Sequence, residues 1–172
     1  MTGPAWVLAL LAVALAVVVR PSTATARLHS LDADVDGRRA RRRWAVARRS
    51  GTGFVGLRIS NIMAPEDYAA FPSYWDDPLI RKWNLWGYVD ARDVAAAARL
   101  ALEAPVDGAE VAIIAAAETV MTRPSADLMA EVFPNVPLRR PVAGRETLLA
   151  IDHARRLLGY EPSHRWADHV SE

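Results

Sequence analysis

The chain has 172 residues, of which 52% are hydrophobic, and a net charge of +1. This length supports one domain with a hydrophobic core but not two full ones. Because the chain has no cysteine, disulfides and thiolate metal sites are excluded. Nine Arg against three Asp give residues 1–50 a charge of +6, which leaves −5 on residues 51–172. The chain therefore divides into two compositional zones near Ser50.

The first zone begins with an apolar run of fifteen residues, Ala5 to Val19. The run predicts an apolar helix, although a comfortable membrane span needs roughly 20 residues. Small residues at 24–26 are typical of a signal-peptidase site, but the four residues before the run carry no basic side chain. Two interpretations remain open. In the first, residues 5–19 form a signal peptide or anchor, and the protein is secreted or membrane-bound. In the second, these residues have no targeting role, and the protein is cytoplasmic.

A basic cluster follows, with five Arg between Arg38 and Arg43 and an indole at Trp44. Such a cluster can bind phosphate backbones, and an indole can stack on a base. A solvated basic face or arm explains the same residues, and the zone after them is acidic. We therefore expect no specific nucleic-acid partner. The change of composition near Ser50 predicts that residues 1–50 lie outside the fold of residues 51–172.

Gly51, Gly53 and Gly56 spell G-x-G-x-x-G, the fingerprint of dinucleotide-binding turns. In such a turn the glycines connect a strand to a helix whose N-terminal amides meet the pyrophosphate. Here the order is reversed, because the apolar stretch Phe54 to Ser60 predicts a strand that contains Gly56. We therefore interpret Gly51 and Gly53 as a helix-to-strand connection and not as a cofactor site.

The segment after this strand is loop-like over residues 62–83, where three prolines interrupt any long element. A short strand is expected at Gly87 to Val89. Asp90 is then the expected N-cap of a helix that ends before Pro105, with Asp93 in its first turn.

A buried strand is expected from Glu110 to Ala115. Two further helices are expected after it. The first runs from about Pro124 to Phe133, with Thr122 or Ser125 as its cap, and the second from Asp152 to Leu158, closed by Gly159. Strands that alternate with helices favour an α/β architecture.

The polar clusters of the chain have structural explanations at this level. The three C-terminal histidines are His153, His164 and His169, and no acidic residue is spaced to complete a zinc site or a triad with them. Asp76 and Asp77 stand beside a proline, which predicts a turn. We expect no metal site in this chain.

Four stretches between residues 48 and 162 resemble, in order, the C-terminal half of the NAD-dependent epimerase/dehydratase family, the extended short-chain dehydrogenases. They read RRSGTGFVGLRISNIMAP, WGYVDARDVAAAARLALEA, EVAIIAAAETVMTRPSADLMAEVFP and RRPVAGRETLLAIDHARRLLGYEP. The resemblance implies a partial Rossmann-type fold. In this family the N-terminal half holds NAD or NADP, and the C-terminal half, here residues 51–172, completes the sheet and builds a substrate-binding lobe.

The resemblance also implies which catalytic groups to look for. The family's catalytic base is the Tyr of a Tyr-x-x-x-Lys pair on the helix before the strand at residues 54–60, where it serves as an acid–base group during hydride transfer. The only Lys of this chain is Lys82, and Pro78 stands four residues before it. We therefore expect a truncated oxidoreductase or isomerase fragment that is catalytically incomplete and binds NAD or NADP poorly. The alternative is a non-catalytic module that binds a small ligand.

The resemblance places four candidate substrate-binding residues, Asn61, Trp86, Tyr88 and Arg140. Trp86 stands where nucleotide-sugar members carry an Arg that grips a diphosphate. A sugar-like small molecule is therefore expected as the partner, and a nucleotide sugar is not. Alternatives remain open for these residues, since Asn61 could turn the chain after its strand, Arg140 could be solvated, and the tryptophans could pack a small lobe.

The absence of a Rossmann half has a consequence for the strand at residues 54–60. Such a strand is normally buried within a parallel sheet. With few partners it would leave apolar surface exposed, so we expect marginal stability and self-association.

Overall fold

The computed structural model describes residues 15–19, 27–31 and 53–170, together with Ala45. The chain has a mixed α/β fold in these residues, with strands that alternate with helices as expected. The strands are β1 (Leu15–Val19), β2 (Arg27–Leu31), β3 (Phe54–Ile59), β4 (Ile62–Met63), β5 (Val89–Asp90) and β6 (Ala109–Ile114). The α-helices are α1 (Ala91–Glu103), α2 (Ser125–Val132) and α3 (Asp152–Leu158), and 3-10 helices span Pro65–Tyr74, Lys82–Asn84 and Trp166–Asp168.

The main sheet has the strand order β2-β1-β3-β6. β3 pairs in parallel with β6 and antiparallel with β1, so that Gly56 lies between Val111 and Val17. β1 in turn pairs antiparallel with β2. The short strands β4 and β5 form a separate parallel pair.

This sheet corrects two expectations for the N-terminal zone. Residues 15–19 form a strand and not the predicted apolar helix, which agrees with the preference of their consecutive valines for extended backbone. β3 also has a partner on each side, so the prediction that it has few partners is wrong. Residues 5–14 and the Arg-rich stretch 38–43 lie outside the described residues. The change of composition at Ser50 does not divide the sheet, because residues 15–19 and 27–31 pair into it. The marginal stability and the self-association stay predictions.

The first core cluster joins the main sheet to two helices. Val55, Leu57 and Ile59 alternate along β3 and meet the small residues Ala97 and Ala101 of α1, and α3 adds its own apolar side chains to the same cluster. Alanines on the buried face let α1 approach the strands closely. The burial of these side chains supplies the main stabilisation of this half of the fold.

The second core cluster is aromatic and lies beyond the carboxyl ends of β3 and β6. Its rings make edge-on and tilted contacts, for example between Phe71 and Tyr88 at a centroid distance of 5.4 Å. The large side chains buried here are Tyr68, Phe71, Trp86, Tyr88, Met121, Leu128 and Trp166.

Local signals set the ends of the helices with one exception. Asp90 caps α1 by accepting a hydrogen bond from the backbone N–H of Arg92 at 2.8 Å, and Gly159 closes α3 in the left-handed conformation, both as predicted. The predicted cap of α2 is wrong, because Pro124 occupies the N-cap position. Ser125 Oγ donates instead to the carbonyl of Glu146 at 2.7 Å, which ties α2 to the following loop.

Residues 62–83 are more regular than the predicted loop. Pro65 begins a 3-10 helix of ten residues, in agreement with the preference of proline for a first helical turn. Asp77 forms the predicted turn by accepting a hydrogen bond from the N–H of Leu79. Among the residues that the structure describes, no helix has the length and apolarity needed to cross a membrane.

Candidate functional site

The predicted site begins at the carboxyl end of β3. The backbone of Ser60 still bonds to Ile114 of β6, and Asn61 then leaves the main sheet and pairs through its carbonyl with the N–H of Val89. This bond holds Asn61 beside the segment that contains Trp86 and Tyr88. The structure therefore brings three of the four predicted residues into one region.

Trp86 and Tyr88 lie in the aromatic core with no exposed surface. The Trp86 indole N–H donates to the carbonyl of Pro78 at 2.7 Å, and the Tyr88 hydroxyl accepts from the N–H of Trp166 at 3.2 Å. Burial raises the pKa of Tyr88 above its ordinary value. Both side chains therefore pack in the core behind this region and stabilise it.

Arg140 lies apart from the other three. It is exposed, and its guanidinium donates to Glu146 at 2.6 Å and to the carbonyl of Pro141 at 3.1 Å. This pairing holds the pKa of Glu146 below its ordinary value. The observed partners of Arg140 are groups of its own loop, so its predicted contact with substrate stays a prediction.

Arg81 is the residue at this site that the sequence did not indicate. Only 7% of its surface is exposed, and Nη2 donates to the carbonyl of Gly87 at 3.3 Å. We assign the Asn61 amide with its oxygen toward this guanidinium, because that orientation accepts from Nη1 at 3.3 Å and from Nη2 at 2.9 Å. In the sequence Arg81 stands next to Lys82 in a loop, where a surface position would be expected.

The neighbours of Arg81 are neutral. Its guanidinium carbon lies 5.1 Å from the ring centroid of Tyr74 and 5.7 Å from that of Trp83. Within residues 53–170 no carboxylate forms an ion pair with it. Burial therefore lowers the pKa of Arg81 from its ordinary value, although the guanidinium stays charged at neutral pH.

The loop that carries Arg81 is tightly wound. The Arg81 carbonyl accepts from the N–H groups of Asn84 and Trp86, and both Leu85 and Trp86 have positive φ angles, of 54° and 57°. Non-glycine residues in this conformation are held there only by the surrounding structure. Gly87 is closely approached, because an added Cβ would lie 2.7 Å from Leu149 Cδ1 and 3.1 Å from the Asn84 carbonyl oxygen.

A second polar cluster surrounds the N-terminus of α1. The buried carboxylate of Asp90 accepts from the Tyr68 hydroxyl and forms an ion pair with Arg92 at 2.8 Å. The hydrogen bonds from Arg92, with that from Tyr68, hold the pKa of Asp90 well below its ordinary value, and burial raises the pKa of Tyr68. Since each group has its partner, we interpret this cluster as structural. Asp90 caps α1 and binds Tyr68 and Arg92 to the start of the helix, an arrangement that we call the clamp.

A third cluster contains a Ser, a His and an Asp, but its geometry differs from a nucleophilic triad. His164 Nδ1 lies 2.7 Å from Asp93 Oδ1, and Ser163 Oγ contacts both the same oxygen and the same ring nitrogen. A triad needs Asp and Ser on opposite ring nitrogens. These bonds instead fasten the C-terminal segment to α1.

The described residues contain no cluster suited to a metal ion, and two glycines of the G-x-G-x-x-G pattern have structural roles. Across the described ranges, no group of three or more His, Asp or Glu side chains lies close enough to hold a metal ion. Gly56 lies inside β3, and a Cβ on Gly53 would lie 2.3 Å from the Val106 carbonyl oxygen. Gly53 therefore serves a close backbone approach and Gly56 serves strand pairing, while Gly51 lies outside the described residues. No protein-family model, curated protein or solved structure matches this chain.

Proposed function

We propose that this chain binds a small sugar-like molecule as the substrate-side part of an NAD(P)-dependent epimerase/dehydratase. The observation that carries the proposal is the position of Asn61 and Arg81 at the carboxyl end of β3. In open α/β sheets, ligands bind outside the carboxyl ends of the parallel strands. β3 and β6 are parallel neighbours that end at this place.

Binding without turnover is the activity that we propose for the chain as it stands. The sequence supplies no Tyr-x-x-x-Lys pair, and the glycines at 53 and 56 are engaged in strand pairing and close packing. Hydride transfer would require a cofactor held against the substrate together with an acid–base group. We therefore propose no hydride transfer by this chain.

A stand-alone binding module is the second candidate. The observation that favours it is the pairing of β3 with β1, because the chain's own N-terminal strand occupies the edge of β3 opposite β6. In the epimerase/dehydratase proposal, that edge would face the cofactor-binding half. The two candidates share the ligand site and differ in what lies beside β3.

Amide NMR titration of the full chain tests the ligand site. We expect D-glucose and its acidic derivatives to shift the amides of Asn61, Gly87 and Val89, and we expect NAD⁺ and NADP⁺ to leave them in place. If no sugar shifts these amides, or if the shifted amides cluster elsewhere, the proposed site is wrong. An NADH absorbance assay with the same sugars accompanies the titration, and any turnover would contradict the non-catalytic role.

A further inference from the structure

Arg81 is a buried cation whose neighbours carry no compensating charge. It has 7% of its surface exposed, and the described groups around it are a backbone carbonyl, an amide, the ring and hydroxyl of Tyr74 and the ring of Trp83. Buried arginines are almost always paired with an anion, because an uncompensated charge inside a protein is costly. The contacts with Tyr74 and Trp83 offset only part of that cost.

Within the part of the chain that the structure describes, two buried polar atoms of the turn at residues 81–84 lack hydrogen-bond partners. Arg81 Nε is a buried donor without an acceptor, and Asn84 Oδ1 is a buried acceptor without a donor. The two side chains are neighbours, since Arg81 Nη2 and Asn84 Nδ2 donate to the same Gly87 carbonyl, at 3.3 and 2.8 Å. A carboxylate oxygen would accept a hydrogen bond from Arg81 Nε, and a hydroxyl group would donate one to Asn84 Oδ1. A ligand that carries both groups would therefore satisfy both atoms.

Large apolar side chains are exposed in the turn that carries Arg81, and the charged side chains of Asp76, Asp77 and Lys82 are exposed near them in sequence. Leu79, Ile80 and Trp83 are each about half exposed, at 54%, 48% and 52%. Large hydrophobic side chains grouped at a surface mark a place where a ligand or partner binds. One buried guanidinium neutralises the single charge of a carboxylate, whereas it leaves part of the charge of a phosphate monoester uncompensated.

We propose that this site recognises a small hydroxylated carboxylate, a sugar acid in chemical class. The carboxylate accepts from the Arg81 guanidinium, a hydroxyl of the same molecule donates to Asn84 Oδ1, and the C–H face of the ligand packs on Trp83. Asn61 positions the guanidinium. Because Nε and Oδ1 are closed to solvent, binding includes a local opening of the 79–84 turn. This inference rests on the proposed function, which places the ligand at the carboxyl end of β3.

A matched set of ligands separates this inference from the proposed function. Calorimetry on the full chain compares D-glucuronate with D-glucose, which lacks the carboxylate, and with cyclohexanecarboxylate, which lacks the hydroxyls. We expect D-glucuronate to bind about 10- to 100-fold more tightly than either, as a charge-assisted hydrogen bond predicts. Equal binding of D-glucose would overturn the inference and leave the proposed function standing. No binding of any sugar would overturn both, and tighter binding of glucose 6-phosphate would overturn the carboxylate assignment.

Variants then test whether Arg81 causes the preference for a carboxylate ligand. Arg81→Gln should abolish the preference for D-glucuronate over D-glucose, and the exposed Arg156→Gln should retain it. Because Arg81→Gln removes a buried group and can impair folding, Asn61→Asp provides a second test. It places a carboxylate against the guanidinium in the shape of the native amide, so it should lower the ratio of D-glucuronate affinity to D-glucose affinity about 10-fold or more. Unchanged discrimination in a folded Asn61→Asp protein would contradict the proposal.

Discussion

The amide oxygen of Asn61 accepts hydrogen bonds from both terminal nitrogens of Arg81, at 2.9 and 3.3 Å, across the carboxyl end of β3. This contact joins a residue just beyond a sheet strand to a cation buried in the following loop. The acceptor in this contact is a neutral amide, which is unusual for a buried arginine. An aspartate at residue 61 would have the same shape and would form an ion pair with Arg81.

Asn61→Asp is therefore expected to stabilise the folded chain by about 1 kcal/mol, which corresponds to a rise in Tm of roughly 3 °C. The new ion pair holds the folded-state pKa of the introduced carboxylate below its unfolded value. The gain is therefore present above about pH 4 and is lost as the pH falls through the folded pKa. Thermal unfolding at pH 7 and pH 3 measures it, with Asn61→Ala as the control that removes the acceptor and destabilises. A lower Tm for Asn61→Asp at pH 7 would mean that Arg81 does not need an anion.

Asp90→Ala is expected to destabilise the chain by about 2 to 4 kcal/mol, because it removes the cap of α1 and leaves the buried Tyr68 hydroxyl without its acceptor. Asp90→Asn keeps a capping oxygen and should lose less. The folded-state pKa of Asp90 is lowered, so its contribution is present above about pH 4 and declines as the medium is acidified.

Urea unfolding of the Asp90 variants measures these differences. Asp107→Ala serves as the control, since Asp107 is an exposed carboxylate on which a substitution should change stability by less than about 0.5 kcal/mol. Equal losses for Asp90→Ala and Asp107→Ala would argue against the clamp at the start of α1.

Gly53→Ala tests the structural explanation of the glycine pattern. The added methyl group would lie 2.3 Å from the Val106 carbonyl oxygen, so we expect a loss of about 1 to 3 kcal/mol on urea unfolding. A cofactor-binding glycine would behave differently, because its substitution would reduce stabilisation by NAD⁺. We expect no stabilisation by NAD⁺ in either protein, and a clear NAD⁺-dependent rise in the Tm of the unsubstituted chain would contradict this explanation.

Val17→Pro tests whether β1 belongs to the sheet. Residue 17 lies between Gly56 of β3 and His29 of β2, and proline removes a backbone donor that an internal strand needs. We expect the amides of β3 to exchange at least about 10-fold faster with solvent, as local opening requires less free energy. Val17→Ile, which favours the same extended backbone, should leave their exchange unchanged. Unchanged exchange in both variants would place β1 outside the stable sheet.

The sequence by itself determined those elements whose signals are local. α1 begins at its predicted cap and ends before Pro105, and α3 has both of its predicted ends, with Gly159 in the left-handed conformation. A cap or a helix-closing glycine acts within one turn of the backbone, so neighbouring residues suffice to recognise it. β3 and β6 were also recognisable from their short apolar stretches, although β6 is buried at only two of its six residues, in contrast to the expected buried strand.

The tertiary structure alone decided the partners of these elements. Leu15 to Val19 becomes a strand because it pairs along one edge of β3, which is distant from it in sequence. The residues that flank Arg81 in the sequence are typical of a surface loop. Arg81 is nevertheless buried, because Asn61, Gly87 and two aromatic rings surround it. The pairing of β1 with β3, and the contact of Asn61 with Arg81, both join residues that are far apart along the chain. The family resemblance therefore pointed to Asn61, whereas only the fold placed a cation against it.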